Sequence, residues 1–129
     1  MTTFSVLVID DEEDFVTTLV NRLQKRKIEA QGVTSGEAAL EALAKADFDV
    51  ILLDIKMPGG MDGIETLREI RKRQPQAEVI LLTGHASVET SIEGMNLGAY
   101  DYLLKPVKLE DLLVKIAAAY EKKSTQDKS

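Results

Sequence analysis

The sequence predicts an α/β fold: a doubly wound, five-stranded parallel sheet in the order 2-1-3-4-5, with helices on both faces. Three observations lead there. Apolar runs of three to five residues recur at Ser5–Ile9, Val50–Leu53, Val79–Leu82 and Tyr102–Leu104, with a weaker one near Ala30–Val33. Such short runs, rich in Val, Ile and Leu, read as strands buried on both faces. Stretches of helical spacing separate them, so β-α repeats five times, and that alternation implies right-handed crossovers onto a parallel sheet.

The helices follow in order. Phe15, Leu19 and Leu23, with Val16 and Val20 beside them, share one face of the first. Leu40 and Leu43 mark the second, after Thr34-Ser35-Gly36-Glu37, which reads as a capping box. Ile64, Leu67 and Ile70 mark a third that ends before Pro75; Ser87 caps a fourth that stops near Gly98. Leu109, Leu112, Leu113, Ile116 and Tyr120 repeat at helical intervals in the last. Met57, Met61 and Met95 read as packing residues. No internal repeat or second domain is visible. The expected division is a domain over residues 1–122 and a polar, lysine-rich tail or linker stub over 123–129.

The chain has 129 residues, 22 acidic and 16 basic side chains, and a net charge of −6. That length suits one domain with a real core. The acidity argues against nucleic acid or an anionic membrane as a direct partner. With no cysteine, disulfides, thiolate metal sites and cysteine nucleophiles are excluded. No apolar run approaches the ~20 residues of a membrane span, and the N-terminus does not read as a secretory signal. The expected location is cytoplasmic.

In a doubly wound sheet the functional crevice lies at the carboxyl ends of the strands. Strand one is followed by Asp10 and Asp11, strand three ends in Asp54, strand four in Thr83-Gly84 and strand five in Lys105-Pro106. Taken singly, Asp10 and Asp11 could cap a helix, Asp54 could be a turn residue, and Lys105 could be a solvated lysine. Together, three carboxylates at one edge repel one another and favour a divalent cation, and their oxygens favour Mg²⁺. A hard cation, a lysine and a hydroxyl around a carboxylate are the parts that phosphoryl transfer needs, with Asp54 as nucleophile.

The motifs Val-Leu-Val-Ile-Asp10-Asp11-Glu, Ile-Leu-Leu-Asp54-Ile-Lys-Met-Pro58, Leu-Leu-Thr83-Gly84 and Tyr102-Leu-Leu-Lys105-Pro106 stand in order over about Phe4 to Tyr120. In this the sequence resembles the receiver domains of two-component response regulators, which have the flavodoxin-like fold. The stretch from Thr83 to Tyr102 is most similar to receivers of the nitrogen-regulatory type, which often precede an ATPase that activates transcription. The resemblance implies that Asp54 accepts a phosphoryl group from a sensor histidine kinase. It implies Mg²⁺ held by Asp11, Asp54 and the main-chain carbonyl of Lys56, with Asp10 reaching the ion through water. Lys105, joined to Pro106 by a cis bond, would pair with the phosphoryl oxygens. Thr83 and Tyr102 match a switch pair: the hydroxyl moves to the phosphoryl group and the ring turns inward. Lys56 and His85 match positions that tune phosphoryl lifetime. The output would be a changed surface around the fourth helix, fifth strand and fifth helix, acting on an output domain or target protein, with dimerisation left open.

Three positions depart from the common pattern. The loop Met57-Pro58-Gly59-Gly60-Met61-Asp62-Gly63 is one glycine longer, Val107 replaces a frequent phenylalanine, and Lys108 is a poor cap for the last helix, whose start is expected to fray. Competing functions fit less well. An aspartyl-phosphate phosphatase would carry a second acid where Lys56 stands, together with a cap segment. A flavin or nucleotide site would need a phosphate loop where Asp10-Asp11-Glu12-Glu13-Asp14 stands. A phosphorylation-independent module is expected to have lost Asp54 or Lys105. The expectation is a signalling switch that catalyses only its own phosphoryl transfer and autodephosphorylation.

Overall fold

The computed structural model describes residues 4–84 and 88–128. Five strands, β1 (Ser5–Ile9), β2 (Glu29–Val33), β3 (Val50–Asp54), β4 (Glu78–Thr83) and β5 (Asp101–Leu104), alternate with five helices. The helices are α1 (Glu13–Lys25), α2 (Gly36–Lys45), α3 (Gly63–Arg73), α4 (Val88–Asn96) and α5 (Leu109–Lys128). All strand pairs are parallel, and their order is β2-β1-β3-β4-β5, as the alternation predicts.

Successive strand residues point to opposite faces, so each central strand feeds two cores. Val6, Val8, Val50, Leu52, Ile80 and Leu82 pack with Val16, Leu19 and Leu23 of α1 and with Leu112, Ile116 and Ala119 of α5. Leu7, Ile9, Ile51, Leu53, Val79 and Leu81 pack on the other side with Ala39 and Leu43 of α2 and Leu67 and Ile70 of α3. The double-faced burial expected of the apolar runs holds for β1, β3 and β4 but fails at both edge strands: at β2, where no residue is fully buried, and at β5. There Tyr102 and Leu104 are each 45% exposed, because β5 is an edge strand and α4 leaves that part of its face uncovered.

One cap differs from expectation. Ser35, not Thr34, caps α2 by accepting from Ala38 N at 3.0 Å. With the start one residue later, Ala38 occupies the third helical position, so Glu37 cannot close a box; its carboxylate accepts from Met61 N at 2.9 Å instead. A complete capping box stands at α3, where Asp62 accepts from Glu65 N (2.8 Å) and Glu65 accepts from Asp62 N (3.5 Å). Ser87 lies outside the described residues; α4 stops at Asn96, just before Gly98 at φ +106°. Lys108 begins α5 through its carbonyl, which accepts from Leu112 N.

Met57 is buried, but Met95 is exposed rather than packed, because it falls on the solvent face of α4. α5 runs as helix through Lys128. Its lower half is tied to the sheet: Tyr120 stacks on Phe4, Lys122 pairs with Glu78 (3.6 Å) and Lys123 with Asp49 (3.0 Å). Among the described residues, no helix is long and apolar enough to cross a membrane.

Candidate functional site

The sheet register delivers the polar residues to one edge. Ile9, the last residue of β1, pairs with Leu53, so Asp10 comes level with Asp54 at the end of β3, and Asp54 pairs with Leu82 of β4. Thr83 ends β4 one step further on, and its carbonyl accepts from Lys105 N at 2.7 Å, which fixes the start of the β5–α5 turn. The Lys105–Pro106 bond is cis, as the resemblance implies.

Asp10, Asp11 and Asp54 each offer a carboxylate oxygen, and these oxygens all lie within 4.8 Å of one another. Asp10 and Asp54 are buried, whereas Asp11 is exposed. Both buried acids are oriented by the following loop: Asp10 Oδ1 accepts from Glu12 N at 2.9 Å, and Asp54 Oδ1 accepts from Lys56 N at 3.1 Å. Lys105 Nζ enters from β5 and lies 2.7 Å from Asp10 Oδ2, 3.2 Å from Glu12 Oε1 and 3.7 Å from Asp54 Oδ2. Its ammonium also sits over the Phe15 ring, 5.1 Å from the centroid.

The electrostatics follow from this crowding. Burial pushes the Asp54 carboxyl up to about 7, the negative charge of Asp10 adds to that, and the Lys56 amide and Lys105 only partly oppose it. Asp10 is raised by burial in the same direction. Burial pulls the Lys105 ammonium down, but its hydrogen bond to Asp10 and the charges of Asp10 and Asp54 outweigh this and hold it above its usual value. Two buried acids with one lysine shared among three carboxylates leave uncompensated negative charge at converging oxygens. That donor set suits a hard divalent cation.

Not every expected residue enters the cluster. Thr83 is buried beside it, but its hydroxyl donates to Gly84 O (3.1 Å) and accepts from Ser91 Oγ (3.0 Å). The Tyr102 ring lies outside, nearly half exposed, and the Lys56 side chain is exposed. His85 lies outside the described residues. Glu12, which closes the first motif, pairs with Lys105, a role the motif does not imply, and two contributors lie outside the motifs: Phe15 beneath Lys105 and Ser91 on Thr83. For Ser91 a signal exists, since Ser91 and Gly94 stand three apart, as a buried helix face requires, and are small enough for close packing.

The chain matches the family described as Response regulator receiver domain over residues 6–117. It is 36% identical to the regulatory protein AtoC of Escherichia coli over 92% of this chain and 26% of that protein. It is 35% identical to the transcriptional regulatory protein YkoG of Bacillus subtilis over 94% of this chain and 53% of that protein. The chain therefore spans between a quarter and a half of the length of these relatives. A receiver domain structure from Clostridium thermocellum superposes with a TM-score of 0.89 at 34% identity, covering 95% of this chain and 98% of that one. NtrX from Brucella abortus superposes at 0.92 with 29% identity, over 98% of this chain and 29% of that one. A parallel sheet in this order, an acid cluster met by a lysine from the fifth strand, and these likenesses agree: the chain belongs to the response regulator receiver domain family.

Proposed function

We propose that this receiver is a phosphorylation-activated switch in which Asp54 accepts a phosphoryl group from the phosphohistidine of a sensor kinase. The observation that carries this reading is the position of Asp54: buried at the end of β3, oriented by Lys56 N, with the Lys105 ammonium 3.7 Å away. An Asp54 carboxylate oxygen attacks phosphorus in line, the P–N bond breaks, and its electron pair leaves with the imidazole, which takes up a proton. Attack of water on phosphorus later breaks the P–O bond and returns the carboxylate and inorganic phosphate.

Asp11, Asp54 and the Lys56 carbonyl would hold Mg²⁺ directly and Asp10 through water. When bound, Mg²⁺ supplies positive charge to the phosphoryl oxygens. Lys105 provides the second positive charge, leaving Asp10 and Glu12 for the phosphoryl group. Thr83 donates its hydroxyl to the same group, and the Tyr102 ring turns inward into the vacated space. Lys56 and His85, at the rim, set how easily water approaches.

The changed surface is that of α4, β5 and α5, where Val88, Ile92, Met95, Tyr102 and Leu104 are exposed. It meets an output domain, a target protein or a second copy, and the chain does not bind nucleic acid directly. The proposed receiver unit is residues 1–122, with 123–129 as a polar tail or linker stub. Its chemistry is confined to its own phosphorylation and autodephosphorylation.

Intact mass after incubation with Mg²⁺ and acetyl phosphate tests this reading. The wild type gains one phosphoryl group and Asp54→Asn gains none. No gain in the wild type overturns the proposal, and equal gain in the variant moves the site elsewhere.

A further inference from the structure

We infer that Ser91 is a latch on the switch: its hydrogen bond to Thr83 holds the Thr83 hydroxyl away from Asp54 and ties that hydroxyl to the seating of α4. This rests on the proposed role of Asp54 and adds a positioning residue that the motifs do not contain.

The geometry is specific. Ser91 Oγ donates to Thr83 Oγ1 at 3.0 Å, with Thr83 1% and Ser91 5% exposed, so water does not replace the bond readily. Thr83 Oγ1 in turn donates its proton to Gly84 O at 3.1 Å. The hydroxyl has one proton to give, and Gly84 holds it. To donate to a phosphoryl oxygen on Asp54, Thr83 must release Gly84 and rotate, and the rotation gives up the bond from Ser91.

The consequence for α4 follows from how that helix is seated. Its buried contacts are the small residues Ser91 and Gly94; a Cβ on Gly94 would lie 2.5 Å from Leu81 Cδ1, so the helix rests close against β4. Val88 and Ile92 are more than half exposed on its outer side. No large side chain of the helix itself is buried beneath it, so the buried Ser91–Thr83 hydrogen bond is part of what fixes its position, beside the exposed Arg68–Glu93 ion pair to α3 at 3.6 Å. Phosphorylation that draws Thr83 toward Asp54 therefore releases α4 at the residue where it is anchored.

The test uses Ser91→Ala, which removes the donor without adding bulk. Binding of beryllofluoride with Mg²⁺ at Asp54, as a mimic of the phosphoryl group, is followed by the amide NMR signals of Ile92 and Met95. Removing a bond that favours the resting state raises the responsive fraction, so half-saturation falls roughly 2- to 10-fold relative to wild type. Without beryllofluoride, the α4 signals of the variant lie part-way toward their bound positions. In a Thr83→Ala background the same Ser91→Ala change has no effect on half-saturation, whereas a merely structural role would persist there. Equal half-saturation in wild type and Ser91→Ala overturns the latch, as does an undiminished effect in the Thr83→Ala background. A wild type that binds no beryllofluoride overturns the reading of Asp54 and the latch with it.

Discussion

α3 and α4 pack on the same face of the sheet, beyond β3 and β4 respectively, yet they are held by different means. α3 begins with a reciprocal capping box, its Thr66 hydroxyl donates to Asp62 O at 2.7 Å, and Leu67 and Ile70 are fully buried. Burying two such side chains contributes about 3–6 kcal/mol. α4 buries only Ser91 and Gly94 and turns Val88, Ile92 and Met95 to solvent. The contrast shows a site with one side built to stay and one side able to shift. The loop that leaves Asp54 runs into the fixed helix, and the strand that ends in Thr83 leads to the loosely seated one.

The sharpest way to break this comparison is a matched pair of glycine substitutions. A Cβ at Gly63 would lie 2.2 Å from the Ile55 carbonyl oxygen, a backbone atom that cannot turn aside. Gly63→Ala is expected to cost about 3 kcal/mol in urea unfolding. At Gly94 the obstacle is the end of the Leu81 side chain, and alanine gains about 1 kcal/mol of helix propensity. Gly94→Ala is therefore expected to change stability by less than about 1 kcal/mol. Equal costs at the two positions would remove the distinction.

A smaller effect comes from pH on the fixed side. The folded protein holds the Asp54 proton up to about pH 7, well above the ordinary carboxyl value of 3.8, chiefly because the group is buried. Between those values the folded state binds more protons than the unfolded one, so stability falls as pH rises from about 4 to about 7. Asp10, raised by burial, acts in the same direction. Without divalent cations, denaturant titrations should show a loss of roughly 1–3 kcal/mol across that window, reduced in Asp54→Asn and by added Mg²⁺. A stability that is flat or rising there would contradict the crowding of the two acids.

The smallest effect belongs to the outer face of α4. Ile92 is 57% exposed, so Ile92→Ser should alter unfolding free energy by less than about 0.5 kcal/mol. A loss above about 1 kcal/mol would mean that this face is packed after all.

Most of the fold is legible in the residues. Continuous short apolar runs in β1, β3 and β4 and helical spacing in α1, α3 and α5 specify elements whose burial follows from local pattern alone. β5 is harder, because an apolar edge strand has the same composition as a central one, and whether Tyr102 and Leu104 are covered depends on the reach of α4. At α2, Thr34 and Ser35 are both good caps, and the choice shifts Glu37 by one helical position, from a box to the loop at Met61. At the site, the two-sided burial of β1 and β3 already implies that Asp10 and Asp54 emerge together.

The parallel sheet, the edge that carries the polar groups and the meeting of Asp10, Asp11, Asp54 and Lys105 thus follow from the β-α alternation, since right-handed βαβ units bring every strand's carboxyl end to one edge. The partners of those groups belong to three dimensions. Glu12 reaches Lys105 across 93 residues of sequence, Glu37 reaches Met61 across 24, and Ser91 takes the hydroxyl of Thr83 rather than facing solvent. Such contacts are set by rotamers and by how closely one element packs on another. Local pattern encodes which face is buried, but the distance between two buried faces is fixed only when both are packed.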